Sequence, residues 1–76
     1  MNWELPQRPA ELIESRLINA IVDGEFPINS NLPPERDLAQ QLGVTRPTLR
    51  EALQRLARDG WIEIRHGKST RVRDYW

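Results

Sequence analysis

Arginine and threonine side chains recur along residues 45–58 at a spacing that suits hydrogen bonding to nucleic acid. Arg46 and Arg50 are four residues apart, so on a helix they point the same way. An arginine can bond guanine O6 and N7 together, and the methyl group of a threonine such as Thr48 can contact the thymine methyl. These residue types indicate recognition of a polyanion and of base edges.

The residue sets that catalysis or metal binding require are missing from the sequence. The chain has no cysteine and one histidine, His66, so thiolate chemistry is excluded and a zinc site has no second ligand of the usual kind. Gly67-Lys68-Ser69 is like the end of a phosphate-binding P-loop, but position 62 is isoleucine where that motif requires glycine. We therefore expect neither enzyme activity nor a cofactor in this domain.

Charge is distributed unevenly, although the net charge of the 76 residues is zero. Residues 1–43 carry three basic and seven acidic side chains, whereas residues 44–76 carry eight basic and four acidic ones. Seven of those eight bases are arginine, the residue best suited to bidentate contact with phosphate and guanine. The asymmetry indicates an end of the domain that faces a polyanion, and a solvated basic face is the alternative.

Length and hydropathy bound the class of protein. A chain of 76 residues forms one small domain with little room for a deep cleft. No apolar run is long enough to cross a bilayer, and the first nine residues lack the pattern of a signal peptide. We expect a cytoplasmic protein with no membrane partner.

Proline and glycine divide the chain into a helical front and a hairpin at the back. We predict helices from Pro9 to Gly24, from Glu35 to Leu42, and from the cap Thr45 to about Asp59. Residues 1–8 are predicted to be a tail, and residues 25–32 a loop. The inner face of the first helix is predicted to contain Leu12, Ile13, Leu17, Ala20 and Ile21.

The second and third helices have the spacing of a helix-turn-helix. Ala39 is small enough for the two helices to approach closely, and Gly43 can make the sharp turn. After Gly60, alternating residues predict strands at 61–65 and 70–73 with a four-residue loop, 66–69. The predicted fold is mainly α with a small β-hairpin, a winged helix-turn-helix of three helices plus a wing spanning residues 9–73.

This fold would carry its functional residues on the third helix and on the wing. The helix 46–59 would enter the major groove by its N-terminal end, and the wing 65–69 would lie in the minor groove. Arg55 and Arg58, further along the helix, would suit phosphates. Tyr75 and Trp76 would pack either back on the domain or on something outside this chain.

The segments LPPER, GVTRPTLREAL and the hairpin after DGW resemble the DNA-binding domain of the GntR family. Within that family, LQRLARDGW followed by HGKST and a final YW is most similar to the FadR group of fatty-acid metabolism regulators. The resemblance covers roughly residues 11–76. Two positions depart from it, because Pro34 stands where a small capping residue is usual and Pro47 where a fatty-acid regulator has threonine.

The resemblance implies a transcription regulator that binds palindromic double-stranded DNA as a homodimer. It also implies a C-terminal effector domain, which in the FadR group binds long-chain acyl-CoA, so that residues 74–76 would begin the linker to it. The family's DNA contacts map onto Arg36, Thr45, Arg46, Pro47, Thr48, Arg50, His66, Gly67 and Lys68.

Two other functions stay open at this point. A winged helix can be a protein-interaction module, which would favour an apolar outer face on the third helix, whereas that face is basic here. An RNA-binding domain would favour exposed aromatic side chains for base stacking, and the basic helix and wing have none. An enzyme is the weakest alternative.

Overall fold

The fold is a three-helix domain with a small antiparallel sheet, as predicted. The computed structural model describes residues 9–75. The three helices are α1 (Pro9–Val22), α2 (Glu35–Leu42) and α3 (Arg46–Arg58). The two strands, β1 (Ile62–Glu63) and β2 (Arg71–Val72), pair with Ile62 opposite Val72 and Glu63 opposite Arg71. The predicted tail, residues 1–8, lies outside the described residues.

Helix α1 turns one stripe of apolar side chains toward the core. Ala10, Ile13, Leu17 and Ile21 are buried and recur every three or four residues. The prediction that Leu12 belongs to this inner face is wrong, because Leu12 is 47% exposed. The residue directly before Ile13 is rotated by about 100° around the helix, which takes it off the stripe.

The turn between α2 and α3 has the conformation that its glycine predicts. Gly43 has φ 69° and ψ 35°, in the left-handed region. Its amide donates to the carbonyl of Gln40, and the amide of Val44 donates to that of Ala39. Backbone acceptors at the end of α2 are therefore satisfied while the chain turns into the next helix.

Helix α3 begins at the predicted cap. Thr45 has extended backbone angles, and its Oγ1 accepts a hydrogen bond of 3.4 Å from the amide of Thr48. Pro47 follows in the first turn, where an amide hydrogen would have no intrahelical acceptor. The inner face of α3 follows its helical spacing, since Leu49, Ala52, Leu53 and Leu56 are all buried.

The hairpin is shorter than predicted. The strands at 61–65 and 70–73 reduce to two residues each, and the connection between them spans residues 64–70 in place of a four-residue loop. Ile64 is 46% exposed, so the alternation that buries Ile62 stops at Glu63. The physical reason is a side chain, because Arg65 donates to the carbonyl of Ser69 from both Nε and Nη2 and so bridges the two legs of the loop where a backbone ladder would continue.

A segment predicted to be a plain loop forms the other side of the wing. Residues 29–32 run along β2, with Asn31 bridged to Arg71 in antiparallel fashion. The amide of Leu32 donates to the carbonyl of Thr70, and the amide of Val72 donates to that of Ser30, both at 2.8 Å. The base of the wing is therefore held by the connection between α1 and α2.

The C-terminal aromatic Tyr75 packs back on the domain. Its ring centroid lies 5.0 Å from that of Trp61, with the planes tilted by 46°. Its hydroxyl donates to the carbonyl of Ile21 at 3.5 Å. Trp76 lies outside the described residues, and the assignment of residues 74–76 to a linker stays a prediction.

Candidate nucleic-acid interface

The outward side of α3 presents the predicted reading residues to solvent. The side chains of Arg46 and Arg50 are 55% and 56% exposed. Thr45 and Pro47 are exposed at the start of the helix, and Thr48 is half-buried beneath them. Thr45 donates from its hydroxyl to that of Thr48 at 3.0 Å, so these two hydroxyls are tied to each other and to the helix start.

Both arginines meet one carboxylate that the sequence prediction missed. Arg50 donates to Glu35 from Nη2 at 2.8 Å and from Nε at 3.5 Å, a bidentate pair. The Nε of Arg46 lies 3.5 Å from Oε1 of the same carboxylate. We call these three residues the Glu35 cluster. The sequence did contain a signal for this contact, because an acidic residue begins α2 and the next helix has a basic outer face.

The cluster changes the ionisation of its members. The hydrogen bond from Arg50 has the largest effect and holds the pKa of Glu35 below its ordinary value. Burial, the next largest effect, opposes this lowering, and the positive charges of Arg50 and Arg46 lower the pKa further. The same hydrogen bond to Glu35 raises the pKa of Arg50. Each pair member favours the charged form of the other, so the cluster carries two positive charges and one negative charge near neutral pH.

The tip of the wing is an exposed turn. His66, Gly67 and Lys68 are all exposed, and the amide of Lys68 donates to the carbonyl of Arg65 at 3.2 Å. Gly67 has φ 68°, a conformation that most side chains avoid. Arg65 also donates from Nη2 to Oδ1 of Asn31 at 3.2 Å, which fastens the tip to the segment paired with β2.

A cleft lies between the wing and Glu35. Its volume is about 520 Å³, and its lining includes Pro34, Glu35, Gly67 and Lys68. The carboxylate that contacts Arg46 and Arg50 therefore also borders the loop of the wing. The structure thus brings the start of α3 and the wing tip, which are distant in sequence, to the same side of the domain.

Arg36 lies at the start of α2 and directly follows Glu35, which lines this cleft. It is exposed and forms no ion pair with any residue in the range 9–75. Pro34 occupies the N-cap position of α2 and provides no side-chain cap, as its departure from the family pattern predicts. The acidic residues of the first turn, Glu35 and Asp37, are favourably placed against the helix dipole instead.

Several arginines of the basic half form ion pairs within the domain. The Nε of Arg55 lies 3.5 Å from Oε1 of Glu14 on α1, and these side chains are only 29% and 16% exposed. This arrangement favours a role in packing α1 on α3 over the phosphate contact expected from sequence. Arg58 is 70% exposed and pairs with the adjacent Asp59. Arg71 pairs with Glu63 at 3.4 Å across the sheet.

Within residues 9–75, no cluster of three metal-ligating side chains occurs, and none of the three helices has the length and apolar composition that spanning a bilayer requires. What the described residues do assemble is a helix-turn-helix whose second helix is basic outside, followed by a hairpin with a basic tip. That arrangement defines a winged helix-turn-helix domain of the DNA-binding class.

Comparison with known proteins gives the family. The family model of bacterial regulatory proteins, gntR family, matches residues 9–72. The chain therefore belongs to the GntR family. It is 59% identical over 70 residues to the fatty acid metabolism regulator protein of Haemophilus influenzae (strain PittEE), a match that covers 92% of this chain and 29% of that protein.

Solved structures with this fold include a DNA-binding domain in complex with its operator and a GntR-family transcription factor. AraR(DBD) in complex with operator ORR3 superposes with a TM-score of 0.85 at 26% identity, over 95% of this chain and 87% of that one. YtrA from Sulfolobus acidocaldarius, a GntR-family transcription factor, gives a TM-score of 0.82 at 27% identity, over 99% and 79% of the two chains. The predicted fold class and family are both confirmed.

Proposed function

We propose that this chain binds double-stranded DNA by sequence, with α3 in the major groove and the wing in the adjacent minor groove. The observation that carries the proposal is that two exposed arginines at the start of α3 contact Glu35, and that Glu35 also lines a cleft together with Gly67 and Lys68 of the wing. The similarity to a domain solved with its operator supports it. The residues proposed to contact DNA are Arg36, Thr45, Arg46, Pro47, Thr48, Arg50, His66, Gly67 and Lys68.

Each proposed contact has a chemical role. Arg46 and Arg50 read base edges or hold the phosphate backbone, and Thr45 and Thr48 add contacts near the helix start. Arg36 holds the backbone from α2. His66 and Lys68 lie along the minor groove, and Gly67 permits close approach to the sugar-phosphate wall.

The assembly that we propose rests on the relatives more than on this domain. The chain spans 29% of the length of the curated relative named above. We propose that the whole protein is a cytoplasmic homodimer that binds a palindromic operator, with half-sites about one helical turn apart. A separate C-terminal domain would bind a small-molecule effector, an acyl-CoA if the protein works as a fatty-acid metabolism regulator. In this domain we propose neither a cofactor nor enzyme activity.

Selection from a pool of random duplexes tests the proposal. The 76-residue chain should enrich a motif, and Arg46→Ala should weaken binding to that motif by about 1–3 kcal/mol. The same substitution should weaken binding to random duplex much less. Arg16→Ala is the matched control, because Arg16 is an exposed arginine on α1 that borders a cleft lined by α1, α2 and the loop between them, without any residue of α3 or the wing. Arg16→Ala should leave the motif preference unchanged.

Two results would contradict sequence-specific binding through α3. Either no motif is enriched and binding fades with salt equally for the native chain and Arg46→Ala, or Arg16→Ala and Arg46→Ala weaken the motif to the same extent. The first result would reduce the basic surface to a nonspecific attraction for polyanions and would reopen the protein-interaction alternative. The second result would show that the start of α3 does not read the motif.

A further inference from the structure

The Glu35 cluster places a negative charge inside the surface that is proposed to meet DNA. Glu35 is 26% exposed, borders the cleft beside the wing, and contacts both arginines at the start of α3. A carboxylate at a DNA interface is unfavourable next to phosphate, because like charges repel and its arginine partners are already engaged. Glu35 therefore does not serve to attract the DNA backbone, and its position requires another explanation.

The contacts leave different parts of the two arginines available. Glu35 contacts Arg46 through Nε, so both terminal nitrogens of that guanidinium remain available for the two acceptors of guanine. In Arg50 the carboxylate occupies Nε and Nη2, which leaves Nη1 available. Arg46 can thus make a bidentate contact with a base while Arg50 can offer one terminal group.

Guanine and phosphate differ in how they respond to this arrangement. The O6 and N7 acceptors of guanine are neutral, so a carboxylate behind the guanidinium repels them weakly, whereas a phosphate carries a full negative charge. Holding the guanidinium in place also lowers the conformational entropy lost when a base is bound. The carboxylate therefore opposes binding to phosphate more than it opposes binding to guanine.

We infer that Glu35 is a positioning residue that determines specificity, since it orients Arg46 and Arg50 for base edges and weakens their attraction for the phosphates of nonspecific DNA. This inference rests on the proposed DNA-binding function. Glu35 itself need not touch DNA. Its effect is on the ratio of affinities for the preferred motif and for random duplex, which is the quantity that decides selectivity among many competing sites.

The test replaces the carboxylate by its neutral isostere. Glu35→Gln should bind random duplex about two- to fivefold more tightly, the range expected for release of an exposed ion pair. Its affinity for the selected motif should stay the same or fall, so the ratio of the two affinities decreases. The logarithm of random-duplex affinity should fall more steeply with the logarithm of salt concentration, by at most about the slope that one phosphate contact contributes.

Asp37→Asn is the matched control. Asp37 is exposed in the same turn of α2, and no arginine of the described chain pairs with it. This variant removes one negative charge from the same helix but leaves the cluster intact, so its affinity ratio should stay closer to native than that of Glu35→Gln. Circular dichroism melting of both variants establishes that they are folded at the temperature of the assay.

The inference is overturned if Glu35→Gln keeps the native affinity ratio, or if Asp37→Asn lowers that ratio equally. Equal weakening of motif and random duplex by Glu35→Gln would also overturn it, since that outcome describes a loss of folded protein or of helix packing. Failure of the proposed function looks different, because the native chain itself would then show no preference for a motif.

Discussion

Nη2 of Arg50 lies 2.8 Å from Oε1 of Glu35, and this bond joins α3 to the first turn of α2 across fifteen residues of sequence. The Nε of Arg50 reaches the second oxygen of the same carboxylate at 3.5 Å. A bidentate pair of this kind fixes orientation as well as distance. The helix-turn-helix is therefore held on its outer side by charge, as well as on its inner side by apolar packing.

The contacts of the Glu35 cluster determine how the carboxyl group of Glu35 titrates and how stability depends on pH. Glu35 has a pKa below its ordinary value of 4.5, chiefly because of the hydrogen bond from Arg50. Its contribution to stability is therefore complete above pH 4.5 and is lost as the pH falls through the lower folded-state value. Arg50→Ala should raise the pKa of Glu35, and Arg46→Ala should raise it less, as measured by carbon NMR of the carboxyl group. No upward movement in Arg50→Ala would contradict the pairing.

The turn glycine predicts a cost that comes from the backbone. Gly43 has φ 69°, and a Cβ built at this position would meet no atom within 4 Å. Gly43→Ala should therefore lower the free energy of unfolding by about 1–2 kcal/mol, from the left-handed conformation alone. Gly43→Asn, whose side chain tolerates this conformation better, should lose less. Urea unfolding of both variants measures the difference, and an equal loss in the two would point to a steric cause.

Arg55 and Arg58 should differ in their contribution to stability. Arg55→Met removes the partner of Glu14, which is 16% exposed, and should lower stability by about 1 kcal/mol, or about 4–8 °C in Tm for a domain of this size. Arg58→Met is the control, because Arg58 is 70% exposed and its partner is the adjacent residue. It should leave the Tm nearly unchanged. The prediction is wrong if thermal melting shows the opposite order.

The wing should depend on a residue that need not contact DNA. Arg65→Lys keeps the charge but cannot reproduce the bonds to both Ser69 and Asn31, so the loop should open more often. The amide of Lys68 should then exchange with deuterium several-fold faster, since about 1 kcal/mol per lost bond corresponds to about fivefold. Duplex affinity should fall in parallel.

Arg73→Lys is the control for the wing. Arg73 is an exposed arginine at the end of the hairpin, and its side chain forms no ion pair within residues 9–75. Arg73→Lys should leave both the amide exchange of Lys68 and the affinity for duplex near their native values. If Arg65→Lys behaves like Arg73→Lys, the hydrogen bonds of Arg65 do not hold the wing.

Local chemistry made the helices predictable. Gly43 and Thr45 mark the end of α2 and the start of α3 because a left-handed turn and a side-chain cap are decided by the residues that form them. The buried stripe of α3 follows from the helical period in the same way. Periodicity was less reliable at Leu12, because the residue beside a stripe is assigned to the core or to solvent by what packs over it.

Long-range contacts decided the remaining features. The bridge between Asn31 and Arg71 and the pairing of Arg55 with Glu14 each join residues far apart in the chain. No local pattern encodes such partners, because they depend on how the helices and the hairpin pack together. The Glu35 cluster belongs to this group as well, since a carboxylate on one helix and two arginines on another meet only at the angle that the folded turn produces.

The sequence by itself determined where the helices lie, which end of the domain is basic and which side chains could read DNA, because propensity, period and charge are properties of short segments. The tertiary structure alone decided how those side chains are held. It placed the wing residues Gly67 and Lys68 on the same cleft as Glu35, and it set Glu35 between two arginines that sequence had treated as free. Ion pairs depend on distance in space, and that distance is established only when the core closes.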